Sequence, residues 1–321
     1  MSTFRSPCFL LPFTAAALSV TPLGELDRPN EPDSLSSLTR VAPGVYWSST
    51  DWRPTVYELR LAGKEDSAPE QAALTRKCPL EGATDVEGIA RDPLRGTLWV
   101  ADEERRSVTE HDAATGKRLA TLALPKRLAQ THRTYGFESL ALSPDGLHLW
   151  LANEEALLCD GPVATPDHGT TVRLTRFSRA DGQTPWKLSG QWAYTTDAIG
   201  GTAPLDSCRS GLADLCALED GTLLALEREY SFKPLPLFRC RLYAVDLAGA
   251  TDVRDRDSLA PDAPAFTPVK KTLLYDANTL LANYEGIAAD PVQKDGSRRL
   301  LLVSDGGQMM AKKILALKLT R

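Results

Sequence analysis

Glu87 and Glu138 stand 51 residues apart in near-copies of one segment, and a carboxylate that recurs with a repeat is the first sign of chemistry in this sequence. Asp85-Val-Glu-Gly-Ile-Ala-Arg-Asp-Pro-Leu-Arg-Gly-Thr-Leu-Trp-Val-Ala-Asp-Glu103 matches Gly136-Phe-Glu-Ser-Leu-Ala-Leu-Ser-Pro-Asp-Gly-Leu-His-Leu-Trp-Leu-Ala-Asn-Glu154. Fainter copies run from Ser34 to Asp51, from Gly211 to Arg228 and from Asn283 to Gly306. Each copy is two apolar runs around a Pro, Asp or Gly turn, which is the signature of a β-hairpin. Residues equidistant from such a turn face one another at one end of the strand pair. Reflection about the five turns pairs Glu138 with Asn153, Glu87 with Asp102, Ser36 with Asp51, Asp214 with Glu227 and Glu285 with Asp305. Eight of these ten positions are acidic in a chain with 42 Asp and Glu among 321 residues, so the enrichment follows the repeat.

Carboxylates gathered at one place repel one another and raise their own pKa values unless a cation or interleaved Arg and Lys compensates. Hard oxygen ligands without accompanying His or Cys favour Ca²⁺, or Mg²⁺ as second choice. Asp51, Glu87, Asp102, Glu138, Asp214, Glu227, Glu285 and Asp305 are therefore the candidate ligands, and Glu87 and Glu138 the candidate general bases. Arg173, Arg228, Lys270 and His132 are candidates to hold an anionic substrate. The competing reading is that the acids close backbone hydrogen bonds between repeats.

The elements that must position these residues are short strands. A further apolar strand follows several hairpins, at Ser107 to His111, Val172 to Phe177, Leu242 to Leu247 and Ile314 to Leu319, and no amphipathic helix of convincing length occurs. A period near 50 residues is that of propeller blades of about four strands. The expectation is an all-β chain folded as a single β-propeller of five to six blades of about four antiparallel strands. Residues 21–321 form the propeller, and residues 1–20 are either an export signal or a strand that closes the last blade. A sixth blade would have to hide in the long insertions between Cys159 and Cys208 and between Asp252 and Pro268.

Composition narrows the function. Net charge is −5 and no basic stripe stands out, which argues against a nucleic-acid partner. No uninterrupted apolar run is long enough for a spanning helix. Six cysteines lack C-x-x-C spacing, so structural zinc is not expected; Cys216 and Cys240 read as buried thiols, and Cys159 with Cys208 as a pair that export would permit. Nucleophile-elbow, zincin, P-loop and dinucleotide motifs are missing from the sequence. A monomer, periplasmic or extracellular if Ala15–Ala17 marks a cleavage site and cytoplasmic otherwise, fits these traits.

The ordered series Val86-Glu-Gly-Ile-Ala90, Leu98-Trp-Val-Ala-Asp-Glu103, Gly136-Phe-Glu-Ser-Leu-Ala-Leu-Ser-Pro-Asp-Gly146, Val172-Arg173, Leu226-Glu-Arg228, Lys270-Lys271, Tyr284-Glu-Gly-Ile-Ala288 and Val303-Ser-Asp305 resembles the phytase-like, "esterase-like activity of phytase" family of bacterial propellers. The resemblance runs from about Ser34 to the C-terminus. It implies a propeller, often exported, with hydrolysis of a phosphoester or another ester as its activity. Joined to the acidic ring, it gives two expectations: a Ca²⁺-dependent hydrolase of a small anionic ester, or a non-catalytic ligand- or protein-binding propeller with a structural metal.

Overall fold

A computed structural model describes residues 18–51, 53–131, 135–306 and 310–321. Twenty strands form five sheets of four. The chain enters on β1 (Ser19–Asp27) and then builds the first blade from β2 (Thr39–Ala42), β3 (Val45–Ser49), β4 (Thr55–Ala62) and β5 (Gln71–Pro79). The second blade is β6 (Val86–Arg91), β7 (Leu98–Asp102), β8 (Ser107–His111) and β9 (Arg118–Thr121). The third is β10 (Phe137–Leu142), β11 (His148–Asn153), β12 (Thr171–Ser178) and β13 (Lys187–Thr195). The fourth is β14 (Arg209–Ala217), β15 (Leu223–Phe232), β16 (Pro236–Asp246) and β17 (Lys270–Leu280). The fifth is β18 (Asn283–Ala289), β19 (Arg298–Asp305) and β20 (Lys313–Thr320), with β1 pairing antiparallel to β20 as its outer strand. The protein is a five-bladed, all-β propeller. Its one helical element among the described residues is a 3-10 turn at Lys126–Ala129.

Each repeat read from the sequence is the inner hairpin of a blade. Gly96 and Gly146 take φ of 70° and 73° in two of the turns, a left-handed conformation open to glycine without steric cost. The second strands are buried along both faces, as in Leu98–Asp102 and Arg298–Val303, while the outer strands β9 and β17 are largely exposed. That gradient explains why the inner pair repeats legibly and the outer strands drift.

The apolar core is divided into sectors between blades. Trp47, Val56 and Cys78 of the first blade pack on Val86, Ile89 and Val100 of the second. Trp99 and Val108 pack on Phe137, Leu140 and Leu151, and Trp150 and Tyr194 on Leu212, Leu215 and Ala225. Leu224, Leu226 and Leu242 meet Tyr284, Ile287 and Leu302, and Leu301, Val303 and Ile314 meet Leu35, Tyr46 and Leu59. The last contact joins the fifth blade to the first and closes the ring.

The insertions hold no sixth blade. The segment after Cys159 contains the third blade's own β12 and β13, and the two long loops fold onto each other, with the Leu259 amide donating to Asp160 at 3.0 Å and the Val253 amide to the Gln191 carbonyl at 2.7 Å. Cys78, Cys159, Cys208, Cys216 and Cys240 are free thiols, so Cys159 and Cys208 are not bridged. The export-signal reading rests on residues 1–17, which lie outside the described residues, as does the candidate anion ligand His132. Among the described residues no helix is long and apolar enough to cross a membrane.

Candidate active site

The innermost strands of four blades carry a register break at the same place. Pairing shifts between Val86 and Gly88, Phe137 and Ser139, Leu212 and Asp214, and Tyr284 and Gly286. Each shift is a β-bulge, an extra residue that leaves the ladder and turns its side chain away from the alternation of the strand. The four bulged residues are Glu87, Glu138, Ala213 and Glu285. The 51-residue spacing puts Ser36 at the matching place in the first blade.

Three glutamates from three blades thus meet on the channel axis. Carboxylate oxygens of Glu87, Glu138 and Glu285 lie within 4.8 Å of one another. Glu87 also belongs to a second group with Asp85 and Glu103 on the same criterion. Glu138, Glu285 and Glu103 are buried; Asp85 and Glu87 keep partial access to solvent along the channel. Gly88 sustains this convergence, because a Cβ there would come within 2.9 Å of the Leu140 amide nitrogen on the neighbouring inner strand.

A second tier sits one residue past the partner of each pre-bulge residue, and consists of Glu103, Glu154, Arg228 and Asp305. Arg228 is the cation set into this acidic tier. Its guanidinium lies 2.8 Å from Glu154 and 3.3 Å from Glu285. Arg209 stands 3.1 Å from the buried Glu155 and over the Tyr135 ring. Gly136 donates its amide to Glu103 at 2.5 Å, and Asn283 its side-chain amide to Glu285 at 2.6 Å.

This neutralisation is incomplete, and the carboxyls hold protons accordingly. Burial pushes Glu103 up to about 8, with the Gly136 amide opposing and Glu154 adding to it. Glu285 is also pushed up to about 8, by burial and then by Asp305, against Arg228. Burial and Glu154 bring Glu155 to about 7, and burial and Asp51 bring Asp305 to about 6. Glu87 and Glu138 lie well above the usual carboxylate range, first through burial and then through neighbouring acids. Burial opposes the charge on Arg228, but Glu154, Glu285 and Glu138 outweigh it and keep the guanidinium ionised.

Of the residues singled out in the sequence, Glu87, Glu138, Glu285, Asp305 and Arg228 come together here. Asp51 lines a cleft of about 770 Å³ with Asp305, Arg53, Tyr57 and Arg76. Others are turned to different work. Asp102 accepts hydrogen bonds from the Thr84 and Arg105 amides, both at 2.8 Å. Glu227 is held by Tyr194, the Asp197 amide and Lys271. Asp214 follows the bulge in its blade and binds backbone amides. Arg173 is fully buried in a two-pronged pair with Asp160, at 2.6 and 2.7 Å, and no substrate reaches it. Lys270 is exposed at the start of an outermost strand, opposite Asp246.

The bulges also correct the reflected pairs: Asn153 stands opposite Phe137, Asp102 opposite Val86, Glu227 opposite Leu212 and Asp305 opposite Asn283. Asp85 and Arg209 are members of the site that carry no repeat signal; Glu103 and Glu154 do, being 51 residues apart, as does Glu155, which follows Glu104 at the same spacing. The opposite end of the channel is a funnel of about 230 Å³ lined by residues such as Leu38, Ile89, Leu140, Leu215 and Ile287. Arg40, Arg91, Glu219 and Arg298 also line it, so this end mixes apolar and charged groups and, among the described residues, has no cluster of carboxylates like that of the mouth.

A family model described as "Phytase-like: Esterase-like activity of phytase" matches residues 33–306. The chain belongs to this phytase-like family. No curated protein matches the sequence. Among solved structures, the phytase-like chain is similar to Myxococcus xanthus glutaminyl cyclase at 13% identity and a TM-score of 0.42, covering 94% of this chain and 97% of that one. It is similar to the Pseudomonas aeruginosa periplasmic gluconolactonase PpgL at 13% identity and a TM-score of 0.36, covering 89% and 88%. Kuenenia stuttgartiensis hydrazine synthase is matched at 11% identity and a TM-score of 0.36 over 86% of this chain, which spans only 57% of that protein. Likenesses at this level bear on neither activity nor ligand.

Proposed function

We propose that this phytase-like propeller hydrolyses a small anionic ester, a phosphomonoester in the first instance, at its acidic mouth with a bound divalent cation. The observation that carries the reading is the convergence of Glu87, Glu138 and Glu285 from three blades, oxygens within 4.8 Å, with Arg228 paired to Glu285 alone of the three. The donor set fits a hard cation, since every member is a carboxylate; beside it, Glu155 Oε2 and Asp305 Oδ1 are buried without a hydrogen-bond partner. Glu87, Glu138 and Glu285 would hold the ion, Ca²⁺ by this chemistry, with Asp85 and Glu103 beside it. A bound cation supplies Lewis-acid polarisation of the ester and a more acidic water.

The chain's own residues do the rest. Arg228 keeps its charge in the mouth and offers N–H donors to an anionic substrate, the role a guanidinium suits better than an ammonium. Glu138, deprotonated once a cation offsets its acidic neighbours, is the general base. The cleft bearing Asp51, Arg53, Arg76 and Tyr57 gives the substrate its approach.

The test is hydrolysis of p-nitrophenyl phosphate and p-nitrophenyl acetate by the purified protein, with EDTA or with Ca²⁺. Ca²⁺-dependent turnover is expected, and Glu138→Gln should lose about 10²- to 10⁴-fold in rate while keeping its fold. Full activity in E138Q moves the site elsewhere. A wild type that binds Ca²⁺ yet hydrolyses neither ester supports the binding-propeller reading.

A further inference from the structure

Asp214 occupies the position held by Gly88, Ser139 and Gly286 in the other bulged blades, directly after the bulge. The fourth blade is therefore the one bulged blade of the four in which a carboxylate replaces a glycine or serine beside the axis. The Asp214 side chain is buried, and both oxygens are engaged by backbone. Oδ1 accepts from the Leu215 amide of its own strand at 2.8 Å. Oδ2 accepts from the Ile287 amide, on the fifth blade, at 2.8 Å. The Leu140 amide, on the third blade, also faces this carboxylate.

Those two foreign amides are not arbitrary. Ile287 lies two residues after Glu285, and Leu140 two residues after Glu138. We infer that Asp214 is a positioning residue: from the fourth blade its hydrogen bond ties down the fifth-blade strand just below its bulge, with the third-blade strand alongside at the matching place, and so fixes the aim of Glu285 and with it that of Glu138. The bulged blade that contributes no glutamate of its own to the axis contributes the tie instead. Glu87 is outside this reach, because neither contact of Asp214 touches its strand.

A carboxylate suits the task for a simple reason. Two backbone N–H groups converge on it, and a carboxylate accepts from both without presenting a donor of its own. An Asn would satisfy one amide and set its own N–H₂ against the other. A Ser, the residue the third blade carries at this place, fits the space and breaks the staple.

The inference rests on reading the mouth as a cation site, so the experiment separates the two. Asp214→Ser and Asp214→Asn are compared with wild type by amide hydrogen exchange in the metal-free protein and by calorimetric titration with Ca²⁺. Exchange at Leu140 and Ile287 should quicken roughly tenfold or more in D214S, with the equivalent amide of Ile89 unchanged. Ca²⁺ affinity should fall by roughly tenfold or more in D214S and by less in D214N. Leu59→Ala, a core truncation remote from the mouth, destabilises the fold but should leave affinity within about twofold. Unchanged exchange at Leu140 and Ile287 overturns the inference, as does wild-type affinity in D214S or an equal loss in L59A. A wild type with no Ca²⁺ affinity removes the hydrolase reading, and the exchange comparison then decides the role of Asp214 by itself.

Discussion

Acidic side chains are buried in two ways in this protein. Inside the blades several have a cation of their own. Asp160 takes both prongs of Arg173, Asp92 takes Arg179 at 2.7 Å, Asp290 takes Arg299 at 2.8 Å and Arg40 at 3.0 Å, and Glu229 takes Arg241 together with the Gly200 amide. At the channel mouth the seven carboxyls of Glu87, Glu103, Glu138, Glu154, Glu155, Glu285 and Asp305 are set, among the described residues, against Arg228, Arg209 and Arg28. A buried charge without a partner is costly, and the blades show that this sequence can supply partners one by one. The mouth is where it does not, and the surplus of carboxyl over guanidinium is what a cation would balance.

The largest expected effect breaks a pair in a blade. Arg173→Met leaves Asp160 buried and alone, which should cost about 3–5 kcal/mol of stability by thermal or denaturant melting. The response of the fold to Ca²⁺ should be unaltered, since the mouth is untouched.

The mouth should behave in the opposite sense. Carboxyls raised in the folded state bind protons there that the unfolded chain has already released. Their contribution is complete below the ordinary glutamate value near 4.5 and disappears as pH climbs through about 6 for Asp305, about 7 for Glu155 and about 8 for Glu103 and Glu285. A tenfold change in a carboxyl's proton affinity on folding is worth about 1.4 kcal/mol, so the metal-free protein should lose on the order of a few kcal/mol between about pH 5.5 and 8.5. Melting temperatures in EDTA across that range check it. For the same reason Glu138→Gln should melt higher than wild type at pH 8 without metal, whereas neutralising a paired blade acid should lower stability.

The inner hairpins are legible in the sequence because both of their strands are buried and their turns need particular residues, as in Asp92-Pro-Leu-Arg-Gly96 and Ser143-Pro-Asp-Gly146. The outer strands answer to solvent on one side, and their sequences wander. The site is legible as far as it follows the repeat, which is why Glu87, Glu138 and Glu285 stand out. Asp102 and Glu227 join them on paper because reflection about a turn assumes an unbroken ladder, and a bulge shifts every position beyond it by one. Asp214 falls to the same error. Nothing local marks Arg173 as buried, because its partner Asp160 comes from an insertion without a repeat.

The smallest expected effect tests that correction. Lys270 is exposed and away from the carboxyl group, so Lys270→Ala should change stability by no more than about 0.5 kcal/mol. Hydrolysis and Ca²⁺ binding should match wild type, as checked side by side in the ester and titration assays.

A cation site built from Glu87, Glu138 and Glu285 would tie the stability of the fold to Ca²⁺. The most direct measurement is the melting temperature at pH 8 of wild type and Glu138→Gln, each in EDTA and in millimolar Ca²⁺. A ligand that binds only the folded state at a hundredfold excess over its Kd stabilises by about 2.7 kcal/mol. Wild type should therefore melt several degrees higher in Ca²⁺, and E138Q should gain little or nothing. A wild type that melts at the same temperature in EDTA and in Ca²⁺, or a gain that survives in E138Q, would rule out a cation held by these three glutamates.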